Sequence, residues 1–229
     1  MRKFSLFSGI LAVAGTLAAG GWAAADIITN GDFEAGNTGF TSQYIADSTI
    51  DAGAVAGTKA GAGYYGIVTD SQFWHPSFTD FKDHTSGSGN MMIVNATDAA
   101  DVTVWSEGGI SLTPGATYQF SFWAASAYPV SPATLHVTTN DNSLDQTFSL
   151  TSNAGAWEQF TTNFVAGHSP LTINLIDTNL ELSGNDFALD DFSLTQVAST
   201  VPIPESAWGG GFLILGLAAL QKFRRAQAA

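Results

Sequence analysis

Thr117-Tyr118-Gln119-Phe120-Ser121-Phe122-Trp123-Ala124 is the stretch that most constrains this chain, because its strict alternation suits an extended strand and no helix. Successive strand residues point to opposite faces, so Tyr118, Phe120 and Phe122 share the face expected to meet a core. Gln119, Ser121 and Trp123 share the other. The turn residues Thr113-Pro114-Gly115 lead into the strand. Further β-type runs are predicted over 91–95, 101–105, 133–138, 146–150, 157–164, 171–176 and 186–194, separated by clusters of Gly, Ser, Thr, Asn and Asp. No amphipathic helical stretch of useful length lies among them. Short strands at this density predict an all-β fold, an antiparallel two-sheet β-sandwich of the jelly-roll type. The stretch from Ile45 to Ser88, rich in Gly, Ala and Asp, is read as long loops crossing the sandwich edge.

The two ends carry different signals. Met1-Arg2-Lys3 places positive charge ahead of an apolar run from Phe4 to Ala14, which continues in small residues to Ala23-Ala24-Ala25. This is the pattern of a signal peptide over 1–25, cut by signal peptidase to leave Asp26 first. At the other end Val201-Pro202-Ile203-Pro204-Glu205-Ser206 precedes an apolar stretch, Ala207 to Leu220, and the basic cluster Lys222-Phe223-Arg224-Arg225. The arrangement resembles the PEP-CTERM sorting signal of Gram-negative bacteria, with Val201, Pro202, Pro204, Glu205, Arg224 and Arg225 as its sorting residues. That resemblance implies export and removal of the tail by an exosortase-type membrane protease. About 14 to 16 apolar residues barely span a bilayer, and terminal Arg and Lys hold that end on the cytoplasmic side, so the helix is a membrane anchor before processing. Ser206 stands where the pattern usually has a second Pro, which bears on the cut site. An ordinary C-terminal anchor helix is the alternative. The chain thus divides into 1–25, a domain over 26–197, a linker with the Pro-Glu motif over 198–206, and a hydrophobic helix with basic tail over 207–229.

Charge narrows the partners of the domain. Of the 20 acidic residues only Glu205 falls outside Asp26–Thr200, leaving nineteen carboxylates against Lys59 and Lys82 and a net charge of −17. Such a surface repels nucleic acid and anionic lipid, and it favours cations, calcium above all, and neutral polymers. The chain has no Cys, so an exported domain must stand on core packing and metal rather than disulfides.

Three segments carry a second resemblance. Asn30-Gly31-Asp32-Phe33-Glu34 near the domain start, Leu112 to Trp123 in the middle and Asn185 to Leu194 at the end look like the carbohydrate-binding-module branch of the galactose-binding-like jelly rolls. The resemblance covers most of Ile28 to Gln196 and implies neighbouring first and last strands. It also implies a structural Ca2+ held by Glu34 and Asp190, with a backbone carbonyl from the Gly31 region. Oxygen-only ligands and strong negative charge favour calcium independently of the family. Asp190 and Asp191 are adjacent in an expected strand, so alternation predicts that only one of them meets a given ion. Solvated or turn-capping acids are the alternative. Asp141-Asn142-Ser143-Leu144-Asp145 has the start of a calcium-loop spacing, but Gln146 and Ser152 replace the Gly and Glu such a loop requires, and a hairpin turn is expected instead.

Sugars are commonly held on aromatic faces with polar neighbours. Trp123 with Gln119 and Ser121 meets that description, as does Trp105, which alternates with Val102 and Val104. Trp74, His75, Tyr64, Tyr65 and Tyr128 are placed in loops that rim such a face, whereas Trp157, ahead of Phe160 and Phe164, reads as core. Core or edge packing is the alternative for each Trp. The sequence has no G-x-S-x-G, no H-E-x-x-H and no phosphate loop, and His75, His84, His136 and His168 show no metal-ligand spacing, so no catalytic residue is nominated. The expectation is an exported, non-catalytic β-sandwich with structural calcium and weak affinity for polysaccharide. The alternatives are a structural matrix protein without a specific pocket and, behind it, a glycan-active hydrolase or lyase.

Overall fold

The computed structural model describes residues 25–47 and 61–198. The expected signal peptide and the sorting motif with its tail lie outside the described residues, apart from the residue at the domain boundary. Strands β1 (Ile45–Ala46) and β2 (Tyr64–Val68) precede a helical turn, α1 (Ser71–Trp74). There follow β3 (Met91–Asn95), β4 (Thr103–Ile110), β5 (Thr117–Ser126), β6 (Thr134–Thr139), β7 (Asp145–Ser149), β8 (Glu158–Val165), β9 (Leu171–Asp177) and β10 (Phe187–Gln196). They form a six-stranded sheet in the order β1-β2-β3-β10-β5-β8 and a four-stranded sheet in the order β4-β9-β6-β7. All pairings are antiparallel except that of β1 with β2. This is the expected two-sheet sandwich.

Between the sheets lies one core. Tyr118, Phe120 and Phe122 of β5 point into it, as their alternation requires, and meet Leu135 and Val137 of β6 and Leu171, Ile173 and Leu175 of β9. Phe122 stacks on Phe160 and Phe192 with centroids 5.1 Å from each. Burying each such ring stabilises the fold by about 1.5–3 kcal/mol. The first segment runs beside the last strand, with Ile27 N donating to Leu194 O at 3.0 Å and Phe192 N to Gly31 O at 2.9 Å.

The region read as loops is a correction. It contains β2, whose Tyr-Tyr-Gly-Ile-Val sequence lacks polar alternation because the strand is covered on both sides. It also contains a strap, residues 70–90, that crosses the outer face of the six-stranded sheet. Asp70 caps α1 by accepting from Phe73 N at 2.8 Å and pairs with Lys82. Trp74, Phe78 and Phe81 of the strap bury against Met91, Ile93, Ala125 and Ala188, a second core in which the alanines leave room for the rings. Among the described residues no helix is long and apolar enough to cross a membrane.

Candidate functional site

The strap covers only part of the outer face. Beyond it the register of three strands assembles a grid, because residues directly opposite in an antiparallel pair share a face. Its rows are Thr195–Gln119–Asn163, Ser193–Ser121–Thr161 and Asp190–Trp123–Gln159, each drawn from β10, β5 and β8 in turn. Gln119, Gln159, Thr161 and Asn163 are exposed, and Ser121, Ser193, Thr195 and Trp123 are half-buried. At ordinary strand spacing the grid measures about 10 Å by about 14 Å. Among the described residues no intramolecular hydrogen bond engages the side chains of Gln119, Ser121, Gln159, Thr161, Asn163, Ser193 or Thr195, so their donors and acceptors face solvent.

Trp123 stands where the strap meets the grid. His84 of the strap stacks on its indole, centroids 3.8 Å apart at 18°, and Trp157 meets His84 edge-on at 5.8 Å. The imidazole is held by Asp191, whose Oδ2 lies 2.6 Å from Nδ1. A lone loop histidine carries no sequence signal for such a role, since its partners lie 39 and 107 residues away in sequence and meet only through the fold.

The other tryptophans expected to hold sugar do not offer a face. Trp105 is 1% exposed and stacks on Phe192 at 4.2 Å. The correction follows from a bulge in β4: Thr103 pairs with Ile176 and Trp105 with Leu175, so an extra residue interrupts alternation and Val104 and Trp105 both bury. Trp74 is likewise 1% exposed, because it is the apolar pin of the strap. Tyr65 is buried in the main core, its hydroxyl donating to Asn37 Oδ1, and Tyr64 lies in β2 against the second core. Tyr128 borders a separate cavity with His75. Trp157 packs edge-on against Phe81 and donates from Nε1 to Lys82 O at 3.0 Å.

Of the residues expected to hold calcium, Glu34 and Asp190 both bond one loop. Asn90 N donates to Glu34 Oε1 at 2.7 Å, and His84 N donates to Asp190 Oδ2 at 2.8 Å, so the two carboxylates grip opposite ends of 83–90. Asp83 holds the middle, accepting from Ser86 N and Gly89 N. The Glu34 carboxylate comes close over Gly89, where a Cβ would lie 1.9 Å from Oε1 and would push that side chain aside. Alternation separates Asp190 from Asp191 on paper, yet both reach this loop. A bulge follows Asp190, with Asp191 at φ 49°, and Thr85 Oγ1 donates to Asp191 Oδ1 at 2.6 Å. Burial pushes the Asp190 carboxyl up to about 7, against the His84 N–H bond that lowers it, with the Asp191 charge adding to the rise. Among the described residues no three Asp, Glu or His side chains converge as a ligand set. Glu34 and Asp190 offer oxygen alone, the donor type a hard cation takes, and each is engaged by a backbone N–H, while Gly31 O accepts from Phe192 N at 2.9 Å.

The fold and this face define a class: two-sheet antiparallel sandwiches with an open polar patch on one sheet. No family model matches the chain, and no curated protein is similar to it in sequence. Among solved structures, a cyclase from Fischerella sp. TAU in complex with 4-(1H-indol-3-yl)butan-2-one is similar at a TM-score of 0.54 and 15% identity, over 78% of this chain and 100% of its own. The CBM22-1 xylan-binding domain from Paenibacillus barcinonensis gives 0.49 and 13%, over 78% and 98%. A family 16 carbohydrate-binding module gives 0.45 and 14%, over 74% and 99%. At these identities the likeness is one of fold.

Proposed function

We propose that this chain is an exported, non-catalytic module that binds a neutral polysaccharide across the open half of its six-stranded sheet. The observation that carries the reading is the grid of unengaged amides and hydroxyls bordered by Trp123, whose size matches a short run of sugar rings and whose surroundings repel polyanions. Gln119, with a donor and an acceptor, and the row of hydroxyls would bond sugar hydroxyls, while Trp123 and His84 supply the apolar edge. Trp123→Ala is expected to weaken binding to a panel of neutral polysaccharides by about 1–3 kcal/mol. A parent that binds none of them, or a variant that binds as well as the parent, overturns the reading. A second reading, an acidic structural protein of the matrix without a specific ligand, draws on the burial of Trp105 and Trp74.

The proposal includes a structural calcium at Glu34, Asp190 and Gly31 O, whose charge would offset the carboxylates gathered around 83–90. Calcium is then expected to raise the melting temperature, because binding to the native state alone adds about 2.7 kcal/mol of stability at a hundredfold excess over Kd. Glu34→Ala or Asp190→Ala should reduce that gain, and identical melting in calcium and in chelator counts against it. Export through the 1–25 signal and exosortase-type sorting through Pro202, Pro204, Glu205, Arg224 and Arg225 complete the proposal and rest on sequence alone.

A further inference from the structure

At one end of the sandwich β9 finishes at Asp177, while Asn185 and Asp186 stand directly before β10. All three are interior: Asp177 is 4% exposed, Asp186 7% and Asn185 0%. Much of their bonding capacity is used. Asp177 Oδ1 accepts from Thr134 N and Asn179 N, both at 3.0 Å. Asp186 Oδ1 accepts from Ala96 N at 3.2 Å. Asn185 Nδ2 donates to Asn179 O at 2.8 Å and Thr97 O at 3.3 Å, which ties it to the same loop that Asp177 holds. Two buried oxygens are left without any donor, Asp177 Oδ2 and Asn185 Oδ1. The Asn185 amide lies beside the Asp177 carboxylate, near enough to steady its charge, without a hydrogen bond to Oδ2.

Among the described residues no lysine or arginine answers this charge. Lys82, the one described lysine, is engaged by Asp70 and Asp80. Burial pushes the carboxyls of Asp177 and Asp186 up to about 6, with the charge of Asp177 adding to the rise at Asp186. Burial and both carboxylates also raise the Tyr44 hydroxyl beside them. Both unpaired atoms are buried oxygen acceptors, which suit a positive ion better than any further hydrogen-bond acceptor.

We propose that Asp177, Asn185 and Asp186 form a buried calcium site, distinct from the one read at Glu34 and Asp190 and independent of the sugar-binding face. Two carboxylates match the charge of a divalent ion, and the Asn185 carbonyl oxygen supplies a third hard ligand. Asp186 also lines a cavity of about 250 Å³ with His75, Asn95, Tyr128 and Leu182. An ion here would join the end of β9, the 178–186 loop and the residues that follow β3.

Calorimetric titration of the full chain with calcium tests this. Asp177→Asn and Asp186→Asn keep an acceptor for the Thr134, Asn179 and Ala96 N–H groups while removing charge, so both are expected to fold and to lose a calcium-binding event that Glu34→Ala retains. Loss in Glu34→Ala alone, with titrations unchanged in Asp177→Asn and Asp186→Asn, overturns this site and leaves the other. The converse pattern overturns the Glu34 site and supports this one. Asn185→Asp provides a second measurement, because a third buried carboxylate makes the fold depend on the ion. Its melting temperature should fall below the parent's in chelator and recover in calcium. A melting temperature that ignores calcium shows that a water or a shared proton fills the site, and overturns the proposal. Crystals soaked in terbium(III), a calcium substitute, should show anomalous density beside Asp177 Oδ2 and Asn185 Oδ1; its absence there overturns it equally.

Discussion

Trp105 and Trp123 share a residue type and a strand setting, yet their rings meet different surroundings. Trp105 lies flat on Phe192 at an interplanar angle of 8° inside the main core. Trp123 lies flat on His84, outside that core and half open to solvent. Removing the first leaves a cavity among groups that cannot close over it, and removing the second leaves a dent that water fills. Trp105→Ala is therefore expected to cost about 3–5 kcal/mol of folding free energy, with Trp123→Ala costing well under half of that. Urea denaturation of both variants measures the difference. Equal losses would place Trp123 in the packing that holds the molecule together and remove it from the binding face.

At the scale of elements, hydrogen bonds to one carboxylate decide how a hairpin answers acid. Asp141, in the turn between β6 and β7, accepts from Ser143 N at 2.9 Å, Ser143 Oγ at 2.6 Å and Thr139 Oγ1 at 2.7 Å, and reaches Gly167 N at 2.9 Å. Partial burial works to raise its carboxyl, but these donors outweigh it and hold the group well below the usual carboxylate range. A carboxyl lowered in the folded state contributes stability that is present above its unfolded value and lost as pH falls through the folded one. The parent should thus lose melting temperature below about pH 4, and Asp141→Asn should lose less over the same range. Parallel melting curves for the two across that range would show that the turn does not feel the charge. This hairpin was legible in sequence, as were the eight strands β3 to β10, through β-type runs set between turn residues. Other features were not legible. β2 is covered on both sides, α1 is a single turn, and the bulges in β4 and β10 bury Trp105 and bring Asp190 and Asp191 to one loop. Of the grid, Gln119, Ser121 and Trp123 follow from β5 alone. Gln159, Thr161, Asn163, Ser193 and Thr195 join them only through the pairing of β10, β5 and β8, which local pattern does not specify.

For the whole molecule the governing quantity is charge. Nineteen carboxylates and two lysines between Asp26 and Thr200 must share one sandwich that no disulfide closes. Two apolar cores hold it together, one between the sheets and one beneath the strap, and self-repulsion at the surface works against both. Repulsion among exposed charges is screened by salt, over a distance that shrinks from about 30 Å at 0.01 M to about 3 Å at 1 M. The melting temperature in chelator is therefore expected to rise as sodium chloride increases across that range, most steeply at its dilute end where screening first reaches neighbouring carboxylates. Chloride is the right anion, because sulfate would stabilise the fold by exclusion from its surface whatever the charge. Calcium at matched ionic strength should add a further increase, since a site-bound ion acts by mass action on the native state and not by screening. A melting temperature that stays flat with salt would mean that the carboxylates are already neutralised in pairs or by protons, and that repulsion is not what limits the stability of this domain.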